Sequence, residues 1–343
     1  MSPSATDLAA RLHGATTAPF HPHRLLRSRH LQTIWGPLFR RPLPLLRREE
    51  KLALRDGDHL WLTWAGPTLG AGSPVVLILH GLSGCYDSHY ARGLQARLAD
   101  LGVTSVVMNA RGTARRHNDR ADIYHAGETR DVADVISSLA ERNGHGPVLA
   151  VGYSLGGSRL LNYLADKPAR CVAAAVAVSV PLQLAPCSAQ LDRGFSRVYR
   201  NRLLGELLEQ LQQKHEKLKV LAPHEARRLQ QLGPLDGIRT FREFDDRIVA
   251  PLHGFRDAGD YYARCSAGEK LDRITVPTLI LHAEDDPFMV PDVIPPASRV
   301  SSAVTLEISP HGGHVGFVGG SPRNPEYWLE SRIPAFLRPW LKV

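Results

Sequence analysis

The sequence predicts an α/β fold with a mostly parallel central sheet, helices on both faces and an inserted helical cap. Three observations carry this. Short continuous apolar runs recur at residues 75–79, 103–108, 147–151, 172–180 and 278–281, as expected of strands buried on both faces. Between several of them lie stretches with apolar residues three and four apart, the pattern of amphipathic helices. From about Gln183 to Asp272 the alternation stops and a long leucine-spaced helix intervenes. A connection of that length commonly roofs a functional site.

In chain order, residues 1–48 read as a basic arm packed on the core, with His30-Leu31-Gln32-Thr33-Ile34-Trp35 as its one dense patch. Asp56-Gly57 between two apolar runs (52–55 and 60–64) signals a hairpin. After a Gly/Pro-rich loop at 67–74 comes the first central strand, 75–79. Leu94, Leu98 and Leu101 share one face of a helix that Gly102 closes. The strand at 103–108 follows. Val132, Val135, Ile136, Leu139 and Ala140 then stripe a helix over 130–142. The strand at 147–151 leads into a helix that Pro168 stops. The longest apolar run, 171–182, is too short to span a bilayer and reads as a buried strand. In the insertion, Leu203, Leu204, Leu207, Leu208, Leu211 and Leu218 mark a helix over 202–221. Strands at 278–281 and 304–308 and a helix containing Trp328, Ile333 and Phe336 complete the chain. The expected organisation is an arm (1–48), a core in two parts (49–182 and 273–343) and a cap (183–272).

The 343 residues, 22% charged and 43% hydrophobic, suffice for one large core without staples. Cys85, Cys171, Cys187 and Cys265 are far apart and form no C-x-x-C, so they read as reduced thiols in a cytoplasmic protein. No signal-peptide pattern opens the chain. Much of the net charge of +8 is local: residues 1–51 hold nine basic and three acidic side chains. Such an arm is suited to peripheral contact with anionic lipid. Its plainer reading is a solvated surface. No motif for nucleic acid accompanies it, and none is expected to bind.

Chemistry concentrates at Gly152-Tyr153-Ser154-Leu155-Gly156. A G-x-S-x-G between a strand and a helix forms a sharp turn that raises the serine hydroxyl above the sheet edge. A serine hydroxyl needs a base, and the base an orienting acid. His282-Ala283-Glu284-Asp285-Asp286-Pro287 ends one later strand, and His311-Gly312-Gly313-His314 follows the next. The order Ser, Asp, His is that of α/β hydrolases. Asp286 is the expected acid, with Asp285 and Glu284 as alternatives. His314 is the expected base, with His311 as alternative. The first central strand ends in His80-Gly81-Leu82-Ser83-Gly84, and the N–H groups of Leu82 and Leu155 are the expected oxyanion donors. His80 reads as a structural hydrogen-bond partner. No phosphate loop, dinucleotide fingerprint or metal-ligand spacing is present, so no cofactor and no metal are expected.

The chain resembles the YheT-like branch of the α/β hydrolases, related to the animal abhydrolase-domain lipases and esterases. The resemblance rests on His30-Leu31-Gln32-Thr33-Ile34, His80-Gly81-Leu82-Ser83-Gly84, Asn109-Ala110-Arg111-Gly112 and Tyr124-His125-Ala126-Gly127-Glu128-Thr129. It rests also on the serine turn, Asp260-Tyr261-Tyr262 and His311-Gly312-Gly313-His314. Ala283 stands where many relatives carry glycine. The resemblance implies a cofactor-independent serine hydrolase acting on small-molecule carboxylic esters, acyl or lipid-like. An acyltransferase using the same acyl-enzyme, or a binding protein that keeps only the fold, are the alternatives.

Overall fold

The computed structural model describes residues 18–166 and 168–341. Eight strands form the central sheet in the order β1-β2-β4-β3-β5-β6-β7-β8. They are β1 (Arg47–Ala53), β2 (His59–Ala65), β3 (Val75–Leu79), β4 (Thr104–Asn109), β5 (Val148–Tyr153), β6 (Val172–Val178), β7 (Thr278–Ala283) and β8 (Val304–Ser309). From β4 to β8 every neighbouring pair is parallel. The hairpin β1–β2 joins antiparallel at the β4 edge, turned by the positive-φ Gly57.

The period-2 geometry of a strand splits each apolar run between two faces. Val75, Leu77 and Leu79 of β3 join a core with helix α3 (Arg130–Arg142) and helix α4 (Leu155–Ala165). Val76 and Ile78 join the opposite core with α2 (His89–Asp100) and the terminal helix α11 (Leu329–Leu341). These runs had to be continuous because neither face of the sheet meets water.

The arm contributes helix α1 (Arg29–Phe39), which carries the dense patch. Gln32 is 1% exposed. Its amide donates to the Leu26 and Val318 carbonyls at 2.7 and 2.9 Å and accepts from the Val318 N–H at 2.7 Å. Val318 starts β9 (Val318–Gly320), which pairs with β10 (Pro325–Tyr327) in a small second sheet. The arm's residues 1–17 lie outside the described residues. Among the described residues no helix is long and apolar enough to cross a membrane.

Between β6 and β7 the chain forms a separate apolar cluster. It holds α5 (Leu184–Leu191), α6 (Ser196–Leu221), α7 (Pro223–Gln230), α8 (Phe241–Phe244), α9 (Ala250–His253) and α10 (Ala258–Cys265). A π-helical turn, Asp245–Val249, joins α8 to α9. Helix α6 starts six residues before the leucine pattern at 202, because its first turns present Arg197, Tyr199 and Arg200 rather than leucine. Residues 267–274 leave the cap and pack on the α3–α4 side of the core.

Helix α4 is buried along almost its whole length, so its one charged side chain must be answered. Arg159, 1% exposed, donates to the Glu128 carboxylate at 2.6 Å and to the Glu128 carbonyl at 3.2 Å. Removing one partner of such a pair strands the other charge, at a cost of about 3–5 kcal/mol. Glu128→Leu should therefore lower unfolding free energy by that amount in urea titrations, and the double change with Arg159→Met should recover part of it. Equal stability of Glu128→Leu and wild type would show that the pair does not carry this region.

Candidate active site

Every expected site residue follows the carboxyl end of a strand. Ser154 follows β5, Asp286 follows β7 and His314 follows β8. The structure brings these three together. His314 Nε2 lies 3.0 Å from Ser154 Oγ, and His314 Nδ1 lies 2.8 Å from Asp286 Oδ2. The Asp286 side chain is fully enclosed, and its other oxygen accepts from the Phe288 N–H at 2.9 Å. Pro287 and Phe288 occupy a turn that the Met289 N–H closes on the Asp286 carbonyl at 3.2 Å, and the Phe288 ring stacks on the His314 imidazole at 4.0 Å and 8°. Enclosure, two acceptor contacts and a stacked ring fix the imidazole in one orientation.

The alternatives are brought elsewhere. Asp285 accepts from the Gly313 N–H at 2.9 Å and faces His311 Nδ1 at 3.4 Å. It shapes the histidine loop rather than touching the His314 ring. Glu284 continues the backbone pairing of β7 with β8 through its N–H.

Ser154 holds φ 51°, ψ −120°, a conformation that costs a non-glycine residue of order 1–3 kcal/mol. Its neighbours explain why it persists. A Cβ on Gly156 would stand 2.4 Å from the Leu79 carbonyl oxygen and 2.5 Å from that of His80, and one on Gly152 would stand 2.6 Å from the Gly156 oxygen. Only glycines let β5, β3 and α4 approach this closely. Leu155 opens α4, so its N–H is among those a helix leaves without an internal acceptor. Leu82 borders the same space above Ser154. Two tyrosines fix its loop: Tyr90 Oη accepts from the Gly81 N–H at 2.9 Å and Tyr124 Oη from the Ser83 N–H at 2.8 Å.

Several supporting residues escaped the sequence reading. Thr33 Oγ1 accepts from the His314 N–H at 3.0 Å, and Ser179 Oγ accepts from the Val315 N–H at 3.0 Å. Gly313 and Gly316 pass so close to α1 that a Cβ on either would collide with its backbone. The dense patch His30-Leu31-Gln32-Thr33 was the available signal, but its partner lies 281 positions away.

Two spaces meet at Ser154. Under the cap lies a pocket of about 140 Å³, walled mainly by apolar side chains such as Leu155, Leu184, Leu207, Leu211, Phe244 and Met289. Toward α1 a more polar cleft of about 500 Å³ is bordered by Arg40, Arg41, Asp87, Ser88, Arg202 and Glu206. Leu82, Leu203 and Phe288 border both. Cys187 lines the pocket, where burial and then the Asp286 charge push its thiol far up, so it stays protonated. Among the described residues, Asp58, His59 and Asp119 are grouped closely enough for a cation. The Asp58 oxygens, however, already accept from Arg111, Asn118 and the His59 and Asp119 N–H groups.

His80 is 2% exposed and its ring bonds to backbone groups of two loops. Its Nε2 accepts from the Ala110 N–H at 3.0 Å, which leaves Nδ1 to donate to the Gly81 carbonyl at 2.8 Å. Burial pushes its imidazole down to about 4. Burial does the same to His253, and to His89 beside Arg40.

The sequence matches the family model of the alpha/beta hydrolase fold over residues 74–321. YheT of Escherichia coli (strain K12), whose name gives it as a candidate esterase, is 42% identical over 96% of this chain and 96% of that protein. The phospholipase ABHD3 of Mus musculus is 30% identical over 86% of this chain and 72% of that protein. The esterase Pf2001 of Pyrococcus furiosus shares the fold with a TM-score of 0.56 at 15% identity, over 87% of this chain and 93% of that one.

The lowered histidines set a pH window. The unfolded chain binds these protons near ~6.5 and the folded one near 4, so stability is full above that range and falls as pH drops through it. For His80 the loss by pH 4 is roughly 3 kcal/mol at about 1.4 kcal/mol per unit. Urea midpoints should decline between pH 7 and pH 5, and His80→Asn should decline less steeply. A flat profile for the wild type would contradict neutral burial.

Proposed function

The chain belongs to the α/β-hydrolase family, in the branch that holds YheT, and on that premise we propose that it cleaves carboxylic esters through Ser154, His314 and Asp286. The observation that carries the reading is the unbroken line of hydrogen bonds from Ser154 Oγ through His314 to the enclosed Asp286, at the edge of an apolar pocket. Ser154 Oγ attacks the ester carbon while His314 Nε2 takes its proton. Asp286 holds Nδ1–H and stabilises the imidazolium. The N–H groups of Leu82 and Leu155 receive the oxyanion. His314 then returns the proton to the leaving alcohol, and water repeats the sequence on the acyl-enzyme.

The pocket under the cap suits the acyl chain, since acyl sites are apolar with few polar groups. The polar cleft suits the alcohol. Because that cleft reaches Ser154, water has a route to the acyl-enzyme, and this favours hydrolysis over acyl transfer. The intact hydrogen-bond line favours catalysis over a binding role alone.

Ser154→Ala should leave the fold intact and lower turnover by on the order of a millionfold. Asp286→Asn should cost roughly ten-thousandfold, and Asp285→Asn far less. Activated-ester assays read both, and a larger loss for Asp285→Asn would move the acid by one residue. Leu207 and Leu211 line the pocket, whereas Leu204 and Leu208 pack within the cap. Leu207→Ala and Leu211→Ala should therefore shift preference toward longer chains, each buried methylene being worth about 0.8 kcal/mol. Unchanged relative rates on short and medium acyl esters in both variants would show that the helix only covers the core.

A further inference from the structure

The pocket under the cap is not apolar throughout. Asp245, the first residue of the π-helical turn between α8 and α9, belongs to its wall. Such turns are rare and frequently fall at functional sites. Its Oδ2 accepts from Tyr262 Oη at 2.7 Å, and Tyr262 Oη lies 3.1 Å from Ser188 Oγ. One phenolic hydrogen cannot serve both contacts, so the chain runs from the Ser188 hydroxyl to the Tyr262 hydroxyl to the carboxyl. Among the described residues nothing donates to the second oxygen of Asp245. The two cations of the wall are engaged elsewhere, Arg111 with Asp56, Asp58 and Asp131, and Lys214 with the Asp122 carbonyl.

An all-hydrocarbon chain filling this pocket would displace water from that oxygen and replace it with nothing. Leaving a buried acceptor unpaired costs binding on the order of tenfold or more. A site holding an unpaired polar group discriminates against ligands that cannot answer it. Resting on the ester-hydrolase reading above, we infer that the pocket takes an acyl chain carrying a hydroxyl along its length, bound by Asp245 with Ser188 and Tyr262 behind it. Burial pushes the Asp245 carboxyl up to about 7, with Asp246 adding to the shift. At neutral pH the group therefore exists in both forms. A hydroxyl can donate to the carboxylate or accept from the acid, whereas an ammonium would suit only the charged form and would lose its hydration among apolar walls.

The test is a panel of nitrophenyl esters of one medium chain length, unsubstituted or hydroxylated at each successive carbon. The quantity read is the ratio of kcat/KM for each hydroxylated ester to that for the plain chain, which cancels losses common to both. Wild type should favour at least one positional isomer by on the order of tenfold. Asp245→Leu should bring that ratio to one or below, and the near-isosteric Asp245→Asn should keep part of it, since an amide still accepts. A wild-type panel with no isomer above the plain chain overturns the inference without any variant. So does a preference that survives Asp245→Leu. Hydrolysis of an acetyl ester and fluorophosphonate labelling of Ser154 monitor the underlying reading separately; loss of both in the wild type would overturn the two together.

Discussion

The structure depends on a strained backbone at one residue. Ser154 sits at φ 51°, and nothing in its own side chain favours that. The strain is sustained by what surrounds it: the parallel pairing of β5 with β3 and β6, and the bare α-carbons of Gly152 and Gly156. The Ser154 N–H is also held by the Val178 carbonyl at 2.8 Å. The burial of β5, its neighbouring strands and α4 offsets a cost of a few kcal/mol. In return the hydroxyl stands at the tip of the turn, in reach of His314, with the first N–H of α4 beside it.

The surroundings of that hydroxyl divide by polarity. The cap, an insertion between β6 and β7, supplies leucine and aromatic walls on one side. The segment that follows α1, the loop after β3 and the polar side of α6 supply charged and hydroxyl groups on the other. Phe288 serves both sides and also stacks on His314. A chain whose cap was replaced would keep the hydrogen-bond line from Ser154 through His314 to Asp286 and change the space beside it, because all three follow strand ends of the core.

What could be read from the sequence followed from the range of the forces involved. The central strands were legible because burial on both faces forces a continuous apolar run, as at Val75–Leu79. The serine turn was legible because its glycines are local demands of one tight bend. The choice between Asp285 and Asp286 was not a local matter: adjacent side chains point to different sides, and only the loop's path sends one to His314 and the other to Gly313. Thr33 was invisible for the same reason, as its partner is a backbone amide on another strand end. Asp245 lies in a charged stretch, Arg242 to Arg247, and nothing local to that stretch marks it as a residue of the pocket wall. Physical pattern reaches as far as neighbouring turns of the chain. Beyond that, position is decided by tertiary approach.

The hydrogen bond from the His314 amide to Thr33, and those from Gln32 to Val318, join segments separated by 281 and 286 residues. Closing loops of that size is among the slowest and most entropically costly events in folding. During synthesis the arm emerges first and must wait, its polar side chains unmet, while the sheet, the cap and the last parallel strand are made. The loop that carries His314 is thus held by a clasp between the two ends of the described chain. A nascent or proteolytically shortened chain that keeps the sheet and the serine turn but lacks the arm would lose the Thr33 contact that holds the His314 amide.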